Sequence, residues 1–138
     1  GKKRVLSGVP KSLPAMIKAY RIQDKVKVVG FDWERPEQVW EKVQEEMAEL
    51  RSEVEKGACK RTTEAEFGDL LFALINYARF IGVNPENALE RTNKKFVRRF
   101  EHLEAQAKKA GKDMKKMNLA EMDVFWDEAK KLEESTEN

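Results

Sequence analysis

Acidic side chains at helical spacing are the residues of this chain best placed to do chemistry. Glu45, Glu46, Glu49 and Glu53 fall between Pro36 and Gly57, in a stretch that carries Val39, Val43, Met47, Leu50 and Val54 at the spacing of one apolar helix face. At about 100° per residue, Glu46 and Glu53 lie at the margin of that face and Glu49 slightly further round, against whatever packs beside the helix. A second stretch, from Phe67 to Ile81, is apolar on almost every side. Along it Glu66, Asp69 and Asn76 draw one polar line at i, i+3 and i+10. A carboxylate in such surroundings needs a cation, a basic partner or a proton. With the two helices antiparallel, Glu46 and Glu49 face Glu66 and Asp69. Four carboxylates then form an all-oxygen cage of the kind that takes a hard divalent ion, Mg2+ or Mn2+. Simpler readings stand beside this one: a solvated acidic face for the first stretch, and for Glu66 a capping box with Thr63. One cysteine and one histidine make zinc a poor fit, and the absence of a Glu-x-x-His motif argues against a di-iron bundle.

A third stretch supplies cations. Leu89, Phe96, Phe100 and Leu103 form its apolar stripe, with Asn93 inside the stripe, where a polar side chain needs a partner. Arg91, Lys94, Lys95, Arg98 and Arg99 run beside it. A basic helix surface is common and serves solubility alone; next to a carboxylate cage it is also what a polyphosphate requires. His102 is expected on the surface of this helix, and Trp40 in the core.

The elements that must position these groups are marked by glycine, proline and polar caps. Ser12 before Leu13-Pro14, Pro36, Thr63 with Glu66, Asn84-Pro85 and Asn118 with Glu121 read as helix starts, while Gly30, Gly57, Gly82 and Gly111 read as stops. That makes about five helices. Val26 to Val29 is the one β-branched cluster, and it lacks a partner run or hairpin turn, so the fold class is all-α. Residues 1–11 and 134–138 are expected to be flexible ends, flanking one domain over 12–133.

The chain has 138 residues, enough for one compact domain, with 38% charged and 41% hydrophobic. The mean hydropathy of -0.72, without an apolar run near the roughly 20 residues of a membrane span, excludes a membrane-spanning helix. Charge is segregated: residues 1–30 sum to +7, 31–69 to -6, 86–116 to +5 and 117–138 to -5. Alternating blocks fit helices with opposed faces better than the continuous basic stripe that nucleic acid attracts. The lone Cys59 forms no internal disulfide, which suits a reducing cytoplasm.

The runs Glu45-Glu46-Met47-Ala48-Glu49, Glu66-Phe67-Gly68-Asp69-Leu70-Leu71-Phe72 and Asn93-Lys94-Lys95-Phe96-Val97-Arg98-Arg99-Phe100 closely resemble the MazG nucleoside triphosphate pyrophosphohydrolases, within the all-α NTP pyrophosphohydrolase superfamily. The likeness runs from about Gly8 to Leu132 and includes Ser12-Leu13-Pro14-Ala15, Val29-Gly30-Phe31-Asp32-Trp33 and Trp126. It implies a helical bundle completed by dimerisation, and hydrolysis of a nucleoside triphosphate between the α and β phosphates. By match to the motifs, Glu46, Glu49, Glu66 and Asp69 would hold Mg2+, with Mn2+ as a substitute. Lys95 and Arg99 would meet the phosphates, with Asn93 and Arg98 beside them, and Trp126 would contact the nucleotide. Lys42, one turn before Glu46, is placed to contribute. Glu46 and Asp69 are candidate catalytic groups, and Glu45 or Glu53 would orient the attacking water.

Many members of the family carry two such modules in tandem, so a single module is expected to be a C-terminal domain of a longer protein. The expected partners are the triphosphate and a second copy of the chain, with neither membrane nor nucleic acid. Two other functions compete: a pyrophosphohydrolase dedicated to dUTP, dCTP or phosphoribosyl-ATP, and a helical dimer module without catalysis. Base preference and cellular role are not written in these motifs.

Overall fold

The computed structural model describes residues 4–136; positions 1–3 and 137–138 of the expected flexible ends lie outside them. Five α-helices and one short 3-10 turn account for the regular structure, and no strand occurs among the described residues. They are α1 (Ala15–Val28), α2 (Pro36–Glu55), α3 (Lys60–Phe80), α4 (Pro85–Lys109) and α5 (Leu119–Thr136). The Val26 to Val29 cluster forms the end of α1 rather than a strand, and α5 continues through 134–136. The chain divides into two compact units, Gly1–Ala88 and Leu89–Asn138.

In the first unit, α3 is the central element and both α1 and α2 pack on it. Val39 and Val43 of α2 are almost completely buried, as are Ala73 and Ile75 of α3. Each buried valine contributes on the order of 1.5–3 kcal/mol relative to an exposed one. The apolar stripe of α2 is only half used within this chain, since Met47 and Val54 remain exposed. The same holds for α3, whose Phe67, Phe72 and Leu74 face solvent. Trp40, expected in the core, is 45% exposed and leans on Tyr77 with ring centroids 5.1 Å apart.

Local chemistry explains most helix ends. Pro36 occupies the first turn of α2, where its missing N–H costs nothing, and Gln38 Oε1 accepts from the N–H groups of Glu34 and Arg35. The turn into α3 needs a left-handed residue: Gly57 has φ 73°, and Ala58 N–H reaches back to Glu53 O at 3.0 Å. That turn sets α2 and α3 side by side. The helix starts read at Asn84 and Asn118 hold, with Asn84 Oδ1 accepting from Asn87 N–H and Asn118 Oδ1 from Glu121 N–H. Two others differ. Ser12 caps nothing, because α1 begins after Pro14 without a side-chain cap. Thr63 lies inside the first turn of α3, whose N-cap is Cys59, and its hydroxyl donates to Cys59 O. The capping reading of Glu66 therefore falls.

The second unit is built from α4 beyond its first turn, the 3-10 turn and α5. Leu103, Ala107, Met117 and Ala129 are its buried apolar residues. Phe96 packs against Trp126 with centroids 5.0 Å apart.

Candidate functional site

Antiparallel packing of α2 on α3 brings Glu46, Glu66 and Asp69 together. One carboxylate oxygen from each lies within 4.8 Å of the others. Glu46 is 6% exposed, Glu66 half-buried and Asp69 exposed, so the cluster opens from a buried floor to a wet rim. Glu46 uses one oxygen on Lys42, with Oε1 3.0 Å from Nζ, and its Oε2 has no partner. Glu66 Oε2 is likewise buried and unpartnered. Buried carboxylate oxygens without donors are costly, and two of them in one cluster are the condition a divalent cation relieves.

Glu49, the fourth expected ligand, is exposed and outside the 4.8 Å set. It is still within the field of the cluster: repulsion from Glu46 holds its carboxyl above the ordinary carboxylate value, with Glu66 and Glu45 adding to the effect. The Lys42 ammonium is pushed up by its hydrogen bond to Glu46. Glu45 is exposed and touches Lys42 at 3.4 Å, while Glu53 sits 3.8 Å from Lys56. Asn76, on the same polar line of α3, is 9% exposed and serves neither the carboxylates nor a carbonyl. Its Oδ1 accepts from Arg79, which also makes a 2.6 Å ion pair with Asp32 in the loop before α2.

The expected phosphate-binding residues belong to the second unit. Arg99 donates through Nε and Nη2 to Glu133 Oε2, at 3.1 and 2.9 Å, and its guanidinium lies 5.9 Å from the Trp126 ring centroid. Arg98 is 3.9 Å from the same carboxylate. These charges hold the Glu133 carboxyl below the usual range, the Arg99 hydrogen bond most of all. Lys95 is half-buried and Trp126 is half-buried on Phe96. Asn93, placed in the apolar stripe by spacing, is exposed. His102, expected on the surface, is half-buried, with Nε2 3.4 Å from Glu128.

Sequence reasoning missed Glu133, Asp32 with Arg79, and Gln23, which is 4% exposed on α1. The -5 charge of residues 117–138 beside the +5 of residues 86–116 was the available signal for Glu133. Pairs distant in sequence, such as Asp32 with Arg79, leave no periodic trace.

An all-helical fold with a carboxylate cluster across one helix pair defines a class of helical proteins that offer oxygen donors to a cation. Comparison narrows the class. Residues 34–104 match the MazG nucleotide pyrophosphohydrolase domain, and the chain belongs to that family. It is 42% identical over 118 residues to the nucleoside triphosphate pyrophosphohydrolase/pyrophosphatase MazG of Thermotoga maritima, covering 86% of this chain and 45% of that protein. It is 39% identical over 129 residues to the nucleoside triphosphate pyrophosphohydrolase of Escherichia coli K12, covering 93% and 49%. The uncharacterized protein YabN of Bacillus subtilis is 50% identical over 129 residues, 94% of this chain and 26% of YabN. The chain thus spans half or less of the length of these relatives.

Proposed function

We propose that this chain hydrolyses nucleoside triphosphates to the monophosphate and pyrophosphate, with water attacking the α phosphorus. The observation that carries the reading is the pair of buried, unpartnered oxygens, Glu46 Oε2 and Glu66 Oε2, in a cluster with Asp69. Those donors fit Mg2+ or Mn2+, hard ions that favour carboxylate oxygens, with Glu49 as a further ligand at the rim. When bound, the ion supplies charge neutralisation and Lewis-acid polarisation of the phosphates.

The protein's own groups do the rest. Lys42 balances part of the cluster's charge through Glu46 and is assigned a phosphate oxygen as a second partner. Glu45, exposed and held by Lys42, orients the attacking water, with Glu46 and Asp69 as further acceptors for its proton. The water oxygen bonds to the α phosphorus, the bond to the bridging oxygen breaks, and pyrophosphate departs with the electron pair. Lys95, Arg98 and Arg99 are the cations assigned to the phosphates, with Asn93 beside them and Trp126 assigned to the nucleotide. In this reading Glu133 keeps Arg99 extended until phosphate replaces it.

Exposed Val28, Val29, Phe31, Met47, Val54 and Phe67 are more apolar surface than a solvated unit needs, which supports a homodimer as the working form. Among the described residues no helix is long and apolar enough to cross a membrane. The free, exposed Cys59 suits a reducing cytoplasm. The deciding experiment is pyrophosphate release from each of the eight common NTPs and dNTPs, with Mg2+ and with EDTA, beside Asp69→Asn. Release that needs metal and disappears in the variant supports the reading. No release by folded protein shifts the weight to a specialised triphosphate or to a module without catalysis.

A further inference from the structure

Two of the cations assigned to the phosphates are already engaged, and what engages them is a carboxylate of the same chain. Glu133 of α5 is half-buried against α4. Its Oε2 accepts both edge donors of Arg99, Nε at 3.1 Å and Nη2 at 2.9 Å, while its Oε1 lies 3.9 Å from Arg98 Nε. The Arg99 hydrogen bond first, and the charges of Arg99, Arg98 and Lys95 after it, hold this carboxyl below the usual range. Two anionic oxygens shared between two guanidiniums, with an ammonium in the same field, are what a phosphate group presents to an arginine site.

A guanidinium has one Nε–Nη2 edge, and that edge cannot face Glu133 and a phosphate at once. The Arg99 side chain is only 17% exposed, and its guanidinium lies against the Trp126 ring, so it is held from two sides. An anion arriving at that edge displaces Glu133 rather than recruiting a free cation. The two competitors have different strengths. Glu133 is tethered, and a side chain on the neighbouring helix competes at an effective concentration on the order of millimolar or above. A terminal phosphate carries up to about two negative charges against the one of a carboxylate.

We infer that Glu133 is an intramolecular competitor of the phosphates for Arg99, and that its return to Arg99 drives pyrophosphate off after hydrolysis. The inference rests on the hydrolytic reading proposed above and assigns product release to a residue outside the carboxylate cluster. A triphosphate is held through its nucleoside and its phosphates together. Once the bridge between the α and β phosphates is cut, pyrophosphate keeps its phosphate contacts alone and meets a tethered rival for one of them. The competition weakens substrate and product by the same factor, and the product, as the weaker binder, is the one brought to release.

The test reads the competition without turnover. Pyrophosphate is titrated in EDTA into the full 15N-labelled chain while the Arg99 Nε–H and the Trp126 indole are followed by NMR. Glu133→Gln keeps the size of the side chain and removes its charge. It is expected to bind pyrophosphate about tenfold more tightly than the wild type, the lower end of what a charged hydrogen bond is worth, because the pair is partly wet. Adding Arg99→Met to Glu133→Gln is expected to abolish that gain. In the wild type, saturating pyrophosphate is expected to bring the Glu133 carboxyl, followed by 13C NMR, up from its lowered value to the ordinary carboxylate range or above, a measurement that needs no variant to fold. Equal or weaker binding by Glu133→Gln, or binding by neither protein, overturns the inference, because a carboxylate that only positions Arg99 helps the anion. A Glu133 carboxyl that pyrophosphate leaves where it was overturns it too. In turnover, KM for the triphosphate and the inhibition constant of pyrophosphate are expected to fall together by about tenfold in Glu133→Gln. If hydrolysis proceeds and neither constant changes, the competition is wrong and the hydrolytic reading stands. If no triphosphate is hydrolysed while pyrophosphate still displaces Glu133 from Arg99, the hydrolytic reading is wrong and the competition stands.

Discussion

Glu46→Gln should stabilise the protein without metal and destabilise it with metal, and the crossing of the two effects distinguishes a metal ligand from a structural carboxylate. Glu46 has two carboxylate neighbours within 4.8 Å, and each such pair repels by about 3.5 kcal/mol at an effective dielectric of 20. Lys42, 3.0 Å away, attracts by about 5.5 kcal/mol on the same scale. Its side chain is 38% exposed and Asp69 is exposed as well, so water weakens this attraction and one of the repulsions alike. The repulsions therefore exceed the attraction by about 1–2 kcal/mol, which the neutral amide relieves. For a chain of this length 1 kcal/mol moves the melting temperature by about 3 °C, so the variant should melt about 3–6 °C higher in EDTA. At a metal concentration 100-fold above its dissociation constant the wild type gains about 2.7 kcal/mol, or about 9 °C. A variant binding 100-fold more weakly gains only about 0.4 kcal/mol under the same conditions, and the order reverses. Thermal melts followed by circular dichroism in EDTA and in Mg2+ or Mn2+ read both halves. A lower melting temperature for Glu46→Gln in EDTA would mean that Glu46 is simply the partner of Lys42, and equal metal-induced shifts in both proteins would refute its role as a ligand.

Arg79→Met should cost about 3–5 kcal/mol in urea unfolding, because the arginine side chain is 6% exposed and its loss strands Asp32, 15% exposed, without a counter-charge; a cost below 1 kcal/mol would show that the pair is solvated. Val43→Ala, at a fully buried position facing α3, should cost about 2–3 kcal/mol by the same measurement, through lost burial and the cavity left behind. Glu133 titrates below the usual carboxylate range because Arg99 donates to it. Its contribution to stability is therefore complete above the ordinary carboxylate value and is lost as pH falls through the lower folded value. Urea midpoints from pH 7 down to pH 3 should fall less steeply in Glu133→Gln than in the wild type, and an unchanged slope would refute the assignment.

The fold and half of the site were legible because their signals are local. Proline at the start of α2, the asparagine caps of α4 and α5, and glycine after four helices act within one turn of chain, and each predicted boundary there lies within a residue or two of the observed one. The meeting of Glu46 with Glu66 and Asp69 followed from periodicity plus one assumption, antiparallel packing, which a short turn at Gly57 enforces. Where the local signal was ambiguous the reading failed: Thr63 with Glu66 has the spacing of a capping box, yet Cys59 starts the helix a turn earlier and leaves Glu66 free to join the cluster.

What escaped the sequence is what depends on a third element. Gln23 looks like any polar residue of an amphipathic helix, and only packing of α1 on α3 buries it with one amide atom satisfied and the other orphaned. Hydrophobic pattern misleads in the opposite direction. The near-continuous apolar run of α3 reads as complete burial, whereas Phe67, Phe72 and Leu74 are exposed in this chain. Periodicity reports which surfaces are fit to be covered, and it is silent on whether the cover comes from the same chain, a second copy or a ligand. On α3 these outcomes divide by position: Ala73 and Ile75 are covered within the chain, Phe72 lines a cavity between α1, the loop after it and α3, and Phe67 stands open next to the carboxylates, where a homodimer would draw its interface.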